Sequence, residues 1–154
     1  MKRIYSYLFI GTIGLFGLAS CSSDDNTPVV HDPIVGKWDL KTMDMKFTAN
    51  EEVYLEMEDI SVEGLLVMQF DFKADNTVEF YAENEDEEGN TVVDSHTGTY
   101  AKDGDSVTIT INNEPQTFSI LMLDSTDLHL FTSEEYTFEE VDYLDEVTFK
   151  FKKM

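Results

Sequence analysis

The segment LVMQFDFKADNTVEFYA, residues 66–82, decides the fold of this chain. Apolar and polar side chains alternate on both sides of the central pair Asp75-Asn76, and alternation with a period of two is typical of a β-strand with one buried face. Asp and Asn favour tight turns, and Asn tolerates a left-handed backbone. The segment therefore predicts a β-hairpin with a continuous apolar face, made by Leu66, Met68, Phe70, Phe72, Val78, Phe80 and Ala82.

The same alternation extends outward from this hairpin over residues 34–154. Turn signals interrupt it at Gly104-Asp105, at residues 113–115 and at residues 124–127. Consecutive short strands without a helical crossover indicate an all-β fold with antiparallel strands in a meander. A meander of this size protects its edges best by closing, so we expect a barrel of about eight to ten strands.

Two stretches complicate this pattern. Trp38 and Leu40 have one phase of alternation, while Met43 and the apolar residues after it have the other, which predicts a bulge near Lys41-Thr42. Residues 48–63 fit either a helix with a capping box or a strand, because their apolar spacing suits both. The sequence leaves that stretch open.

Composition limits the function. The chain has 154 residues, with 32 Asp and Glu against 10 Lys and Arg, a net charge of −22 and 42% hydrophobic residues. The apolar content indicates a globular domain rather than a disordered chain. The negative charge excludes nucleic acid and an anionic membrane surface as electrostatic partners, because both require a basic surface.

The first residues have the three parts of a secretory signal peptide, which are a basic start, an apolar run and small residues. The run ends in Leu18-Ala19-Ser20-Cys21, which resembles the lipobox of bacterial lipoproteins. The resemblance implies cleavage before Cys21 and acylation of its thiol, which would attach the protein to a membrane. We therefore divide the chain into a signal peptide (1–20), a flexible acidic tether (21–33) and a β-barrel domain (34–154). Because Cys21 is the only cysteine, the domain has no disulfide.

Ser22-Ser23-Asp24-Asp25 follows the lipidation site. It resembles the acidic export signals of certain Gram-negative surface lipoproteins, which implies an outer-membrane location with exposure at the cell surface. The alternative is that these residues are only a solvated part of the tether.

Five short motifs occur in an order that resembles the bacterial lipocalin-like lipoproteins, which are relatives of the lipocalins. Each is weak alone, and their order and spacing carry the resemblance. The motifs are Gly36-Lys37-Trp38, residues 72–77, Gly98-Thr99-Tyr100, Gly104-Asp105 and Leu128-His129-Leu130.

The resemblance implies a lipocalin-like barrel whose interior holds a small apolar ligand. The alternative for the interior residues is that they pack into a solid core. Lipocalins often place an Arg from the C-terminal end over the Trp, and this chain has only Lys150, Lys152 and Lys153 there. The residues implied to line the interior are Trp38, Met68, Phe70, Phe72, Phe80, Phe118 and Met122.

We expect neither catalysis nor a cofactor. The chain has only three histidines, His31, His96 and His129, and lacks the His-Glu-x-x-His zinc motif, the Gly-x-Ser-x-Gly elbow and a phosphate-binding glycine loop. Among its acidic clusters, Glu85, Asp86 and Glu87 are a weak candidate for Ca²⁺, but their spacing does not match a calcium loop. The alternative, which we favour, is solvating charge on an exposed hairpin.

Two serines, Ser106 and Ser125, follow Asp in short motifs that resemble the O-glycosylation sites of the same surface lipoproteins. The sequence as a whole predicts a lipid-anchored envelope lipoprotein whose lipocalin-like domain binds a small apolar ligand. The alternative is a non-catalytic surface module for protein–protein interaction, with a filled barrel and acidic loops, whose partner would be another envelope protein.

Overall fold

The computed structural model describes residues 32–86 and 88–154, and all regular secondary structure in them is β. Across these residues, no helix is long and apolar enough to span a membrane. The strands are β1 (Gly36–Ala49), β2 (Glu52–Ser61), β3 (Leu66–Phe72), β4 (Thr77–Glu85), β5 (Thr91–Asp103), β6 (Ser106–Ile111), β7 (Glu114–Leu123), β8 (Asp127–Phe138) and β9 (Val141–Lys153).

All pairings are antiparallel, and the sheet closes on itself. The strand order is β2-β1-β3-β4-β5-β6-β7-β8-β9, and β1 pairs with β9 as well. Eight strands therefore form a closed barrel, and β2 is an additional strand on β1. The predicted all-β meander and its closure are confirmed.

Strand β1 is shared between two neighbours on one side. Its first residues pair with β3 and its later residues pair with β2, while β9 runs along the other side of the strand. The β1–β9 register shifts between Leu40 and Thr42. This bulge at Lys41 confirms the predicted change of phase and keeps Trp38 and Met43 on the same inner face.

The barrel has two levels. At the end where β1 begins, which we call the lower barrel, the eight strands pair in a closed ring. At the other end the ring opens, because β6 pairs only with residues 99–103 of β5 and the β6–β7 hairpin turns back at Ile111. The strands above this level form two sheets, β8-β9-β1-β2 and β3-β4-β5, and we call the space between their inner faces the upper cleft.

Residues 48–63 contain the end of β1, a tight turn and strand β2, so the helical alternative is wrong. Asn50 and Glu51 have positive φ angles of 47° and 67°, which make a tight hairpin turn. The resulting strand pairs with β1 from Ala49 back to Thr42. Cross-strand pairing decides the structure here, and local sequence periodicity does not report it.

The lower barrel has an aromatic core. The ring of Phe70 lies 5.6 Å from Phe72, 5.3 Å from Phe80 and 5.6 Å from Phe151, measured between centroids. Phe72 in turn meets Tyr100 edge-on at 4.9 Å. Such ring pairs stabilise a core beyond the area they bury.

Two of the sequence motifs lock together at the lower end. Tyr100 donates its hydroxyl proton to the backbone oxygen of Lys73 at 2.8 Å, and its N–H donates to Asn76 O at 2.9 Å. Asn76 has a φ of 65°, the left-handed conformation that the turn requires. The β3–β4 turn is therefore held by the strand that follows it.

An ion cluster joins three strands on the outer face. Lys150 of β9 lies 2.8 Å from Asp44 of β1 and 2.6 Å from Asp59 of β2. The hydrogen bonds that Lys150 donates to the two carboxylates raise its pKa. The N–H of Asp59 also donates to Asp44 at 2.8 Å, so the cluster fixes β2 against the barrel.

Candidate functional site: the upper cleft

The residues predicted to line the interior lie in the lower barrel, with one exception. Trp38, Met68, Phe70, Phe72, Phe80 and Phe118 are buried in one core cluster. Met122 is 42% exposed, and its placement in the interior is wrong. The β7–β8 register shifts between Ile120 and Met122, and this bulge turns Met122 to the outer face.

The lower barrel is closed at its end by Trp38. The indole N–H donates to Ile34 O at 2.7 Å, and Ile34 itself is fully buried. Lys153 Nζ lies 4.9 Å from the centre of the Trp38 ring and donates to Pro33 O at 3.2 Å. A lysine therefore supplies the cation over the tryptophan, the position where lipocalins often have an arginine.

Apolar side chains continue from the core toward the upper cleft. Met43, Leu66, Ile120 and Phe149 are partly buried and pack against the core cluster. The ring of Phe149 meets Phe118 edge-on at 6.4 Å. These residues form an apolar floor where the closed ring of strands gives way to the two separate sheets.

One carboxylate lies on the inner face above this floor. Asp145 of β9 is in the same phase as Phe149 and Phe151 and is only 6% exposed. Its Oδ2 is 3.5 Å from the hydroxyl of Tyr136, and its Oδ1 has no hydrogen-bond partner within the described part of the chain. Burial raises the pKa of this carboxyl group, against the smaller opposing effect of the Tyr136 hydroxyl.

Aromatic residues surround Asp145. Phe47 of β1 is its partner across β1–β9, and Tyr136 and Tyr143 stack with 5.1 Å between their ring centres. Glu134 of β8 is its partner on the other side. The upper cleft thus combines an apolar floor, aromatic walls and a buried acid.

Sequence reasoning missed Asp145 because it is one acid within an acidic run of residues 134–146, which reads as solvated charge. The signal was present in the strand's periodicity. Counting back by twos from Phe151 passes through Phe149 and Val147 to Asp145, so the inner phase of β9 includes this acid.

Two further pairs of polar side chains lie on the inner face of the upper strands. Gln116 donates to the hydroxyl of Thr132 at 3.2 Å, and His96 Nε2 lies 2.7 Å from Asp94 Oδ1. These pairs hold the polar side chains of the cleft in place on β5, β7 and β8.

A small pocket of about 150 Å³ is on the outer face of the sheet β8-β9-β1-β2. The ion pair between Lys46 and Glu146, with 2.9 Å between nitrogen and oxygen, lies in it. Lys46 and Phe131 line the pocket, and both lie on the outer face of their strands. The pocket therefore faces away from the cleft. The pocket is lined by Asp44, Met45, Lys46, Glu56, Met57, Glu58, Phe131, Glu146 and Thr148.

The acidic hairpins lie around the open end of the cleft. These are the β1–β2, β4–β5 and β8–β9 hairpins, because all three turn at the end opposite to Trp38. Asp86 accepts the backbone N–H groups of Glu88 and Asn90 at 2.9 and 2.8 Å, so its carboxylate holds the loop's own backbone. No group of three or more His, Cys, Asp or Glu within residues 32–86 and 88–154 is arranged to hold a metal ion, and Glu87 of the calcium candidate lies outside these residues.

Other predicted sites have the following positions. The signal peptide (1–20), the lipidation site Cys21 and all of the tether except Asp32 and Pro33 lie outside the described residues. Ser125 is exposed at the β7–β8 turn. Ser106 is half-buried and donates its hydroxyl proton to Asp103 O at 2.9 Å.

Several solved structures are similar to this chain. A lipocalin-like protein from Bacteroides uniformis is 14% identical with a TM-score of 0.45, over 80% of this chain and 100% of that one. Bovine odorant binding protein, in complex with a selenium-containing odorant, is 17% identical with a TM-score of 0.48, over 86% of this chain and 78% of that one. Lobster apocrustacyanin A1 is 17% identical with a TM-score of 0.45, over 79% of this chain and 61% of that one.

No curated protein sequence matches the chain. Residues 34–130 do match the model of a protein family, the lipocalin-like domain. These residues include the Gly-x-Trp motif at Trp38, the β3–β4 hairpin and the interlocking Tyr100. The match covers more than half of the residues of this chain, so the chain belongs to the lipocalin-like domain family.

Proposed function

We propose that this protein is a lipid-anchored envelope lipoprotein whose lipocalin-like domain binds a small apolar ligand in the upper cleft. The observation that carries the proposal is the division of the barrel into two levels. Its lower level is filled by packed aromatic and aliphatic side chains. Its upper level separates into two sheets with an apolar floor between them. Concave apolar sites with few polar groups are the usual form of small-molecule sites.

The proposed role is binding, without chemical conversion of the ligand. The polar groups of the cleft are few, and the pairs Gln116–Thr132 and His96–Asp94 are already hydrogen-bonded or ion-paired within the protein. A predominantly apolar site with few polar groups suits binding of a ligand. Family membership supports the same role, since the lipocalin-like architecture is that of a barrel that encloses a guest molecule.

The anchor and the location are part of the proposal. Cys21 as the only cysteine, directly after an apolar run, supports acylation, and Ser22-Ser23-Asp24-Asp25 supports surface exposure. Intact-mass measurement of the protein from its own cells should find the acyl groups on Cys21. A protease added to intact cells should digest the protein if it is exposed at the cell surface. An unmodified Cys21 would contradict the anchor, and a protein untouched by protease would contradict surface exposure.

Ligand binding is tested by native mass spectrometry of the protein purified from its own envelope, with a retained small molecule as the expected result. Val147→Arg places a long cation on the inner face of β9, and we expect it to remove the retained molecule. Thr148→Arg is the matched control, since the neighbouring residue is on the outer face and is similarly half-buried. Retention by both variants would contradict the placement of the ligand in the cleft.

A second candidate function is an interaction module, and the free edge of β2 favours it. Among the described residues, this strand pairs only with β1, and Val53 and Tyr54 on it are at least half exposed. Unpaired strand edges accept a strand from a partner. A cross-linked complex in intact cells that is lost in Tyr54→Lys, together with no retained small molecule, would favour this function over ligand binding.

A further inference from the structure

Asp145 is a buried acid whose hydrogen-bonding capacity the described barrel uses only in part. It is more than nine-tenths buried, yet Oδ1 receives no hydrogen bond from any described residue. A buried carboxylate without a full set of donors destabilises a fold, so such a group is unusual unless it serves binding. The position of Asp145 above the apolar floor places it where a ligand's polar end would lie.

Among the described residues, no lysine or arginine lies on the inner face beside Asp145. Lys46, the lysine on the neighbouring part of β1, is on the outer face and is paired with Glu146 at 2.9 Å. The inner partner of Asp145 across β8–β9 is a second acid, Glu134. The unsatisfied charge on the inner face is therefore negative when Asp145 is ionised, and no described side chain beside it neutralises that charge.

The walls around Asp145 suit a cation as well. Phe47 lies opposite to it on β1, and the stacked rings of Tyr136 and Tyr143 lie toward the open end. Aromatic faces attract organic cations, most strongly where water is excluded. Phe47 and Tyr143 are only half-buried, so their rings are not packed against protein on all sides.

The surroundings of the opening add long-range attraction. The hairpins at the open end carry carboxylates within residues 51–58, 83–88 and 134–146. Among the described residues of these hairpins and of the adjoining end of β1, Lys46 is the only lysine or arginine. A concave surface with charge of one sign raises the local concentration of the opposite ion and speeds its association.

We propose that the ligand is a cationic amphiphile, with a protonated amine on an apolar body, and that the amine binds to Asp145 while the apolar body lies on the floor of the cleft. This assignment rests on the proposed ligand-binding function and names its ligand class. Binding would give Oδ1 the donor that it lacks, and it would neutralise the acid that β9 places on the inner face.

The test compares three probes of equal length, decylamine, decanol and decanoate, by isothermal titration calorimetry with the full chain at pH 7, below the concentrations at which they aggregate. A charged hydrogen bond in a shielded site predicts that decylamine binds at least about tenfold more tightly than decanol, and that decanoate binds most weakly. Asp145→Asn should remove the amine preference and leave decanol unchanged. Glu135→Gln, which removes one charge from the outer face at the same level, should keep the preference.

The outcomes separate the two proposals. If no probe binds the unmodified chain, the proposed ligand-binding function fails. If decanol binds as well as decylamine, the function stands and the amine assignment is overturned, and this comparison requires no variant. If the preference persists in a folded Asp145→Asn chain, the assignment to Asp145 is overturned.

Discussion

Gly98 and Tyr100 illustrate how single residues fix the turn at the lower end of the barrel. A Cβ atom on Gly98 would lie 2.1 Å from the backbone oxygen of Thr110, so no larger residue fits against β6. Two residues later, Tyr100 bonds to the β3–β4 turn at Lys73 and Asn76. The Gly-Thr-Tyr motif therefore combines a close approach of two strands with a lock on a turn.

Asp145 is the residue whose replacement should stabilise the fold. Asp145→Asn removes a buried charge with one unsatisfied oxygen, and we expect it to raise the free energy of unfolding at pH 7 by about 1–3 kcal/mol. Urea unfolding of both chains measures this difference. Glu135→Gln is the control for the change in net charge, and it should have little effect because its side chain is exposed.

The same substitution should change the pH dependence of stability. The fold raises the pKa of Asp145 above its ordinary value of 3.8, so the folded state favours the protonated form. The carboxylate therefore costs stability at high pH, and this cost disappears as the pH falls through the raised pKa. The advantage of Asp145→Asn should shrink below that pH, and an advantage independent of pH would contradict the origin in charge burial.

At the scale of elements, the sequence predicted the strands where alternation was backed by burial. The slip between Leu40 and Met43 was visible because buried side chains lie on both sides of it. Residues 48–63 were ambiguous because β2 carries exposed Val53 and Leu55, so its apolar residues do not report a buried face. The bulge that exposes Met122 was hidden because Leu121 and Met122 are both apolar, and the sequence offers no polar residue to mark the shift.

The bulge at Lys41 carries the next prediction. Deleting Lys41 would force Trp38 and Leu40 out of the inner face or displace the rest of β1, because side chains alternate strictly along a strand. With two buried side chains lost, we expect the free energy of unfolding to fall by at least about 3 kcal/mol. Urea unfolding measures it, and deletion of the exposed Glu88 in the β4–β5 loop is the control. Equal stability of the two deletions would contradict the role of the bulge.

At the scale of the whole molecule, the closed ring and the split sheets should differ in local stability. Among the described residues, residues 78–84 of β4 pair with β3 on one side and with β5 on the other, whereas residues 91–98 of β5 pair only with β4. Strand edges with one neighbour open more readily. No single stretch of sequence predicts this division, because it depends on where the short β6–β7 hairpin ends relative to β5 and β8.

Native-state hydrogen exchange measures this difference. We expect the amides of residues 78–84 in β4 to exchange at least about tenfold more slowly than those of residues 91–98 in β5. Both sets of amides are measured in one sample, which controls for pH. Equal protection of the two segments would contradict an open edge on β5, and slower exchange of residues 91–98 after addition of decylamine would place the ligand between the two sheets.

The position of the first described residues has a consequence for how a ligand would be supplied. Asp32 and Pro33 lie at the lower end, beside Lys102 and Lys153, and so on the side opposite to the cleft. With the proposed anchor at Cys21, the attachment to the membrane would join the described domain at its closed end. The opening then points into the surrounding medium, so a guest molecule would be captured from solution by diffusion and released the same way, rather than drawn sideways out of the lipid leaflet that holds the protein.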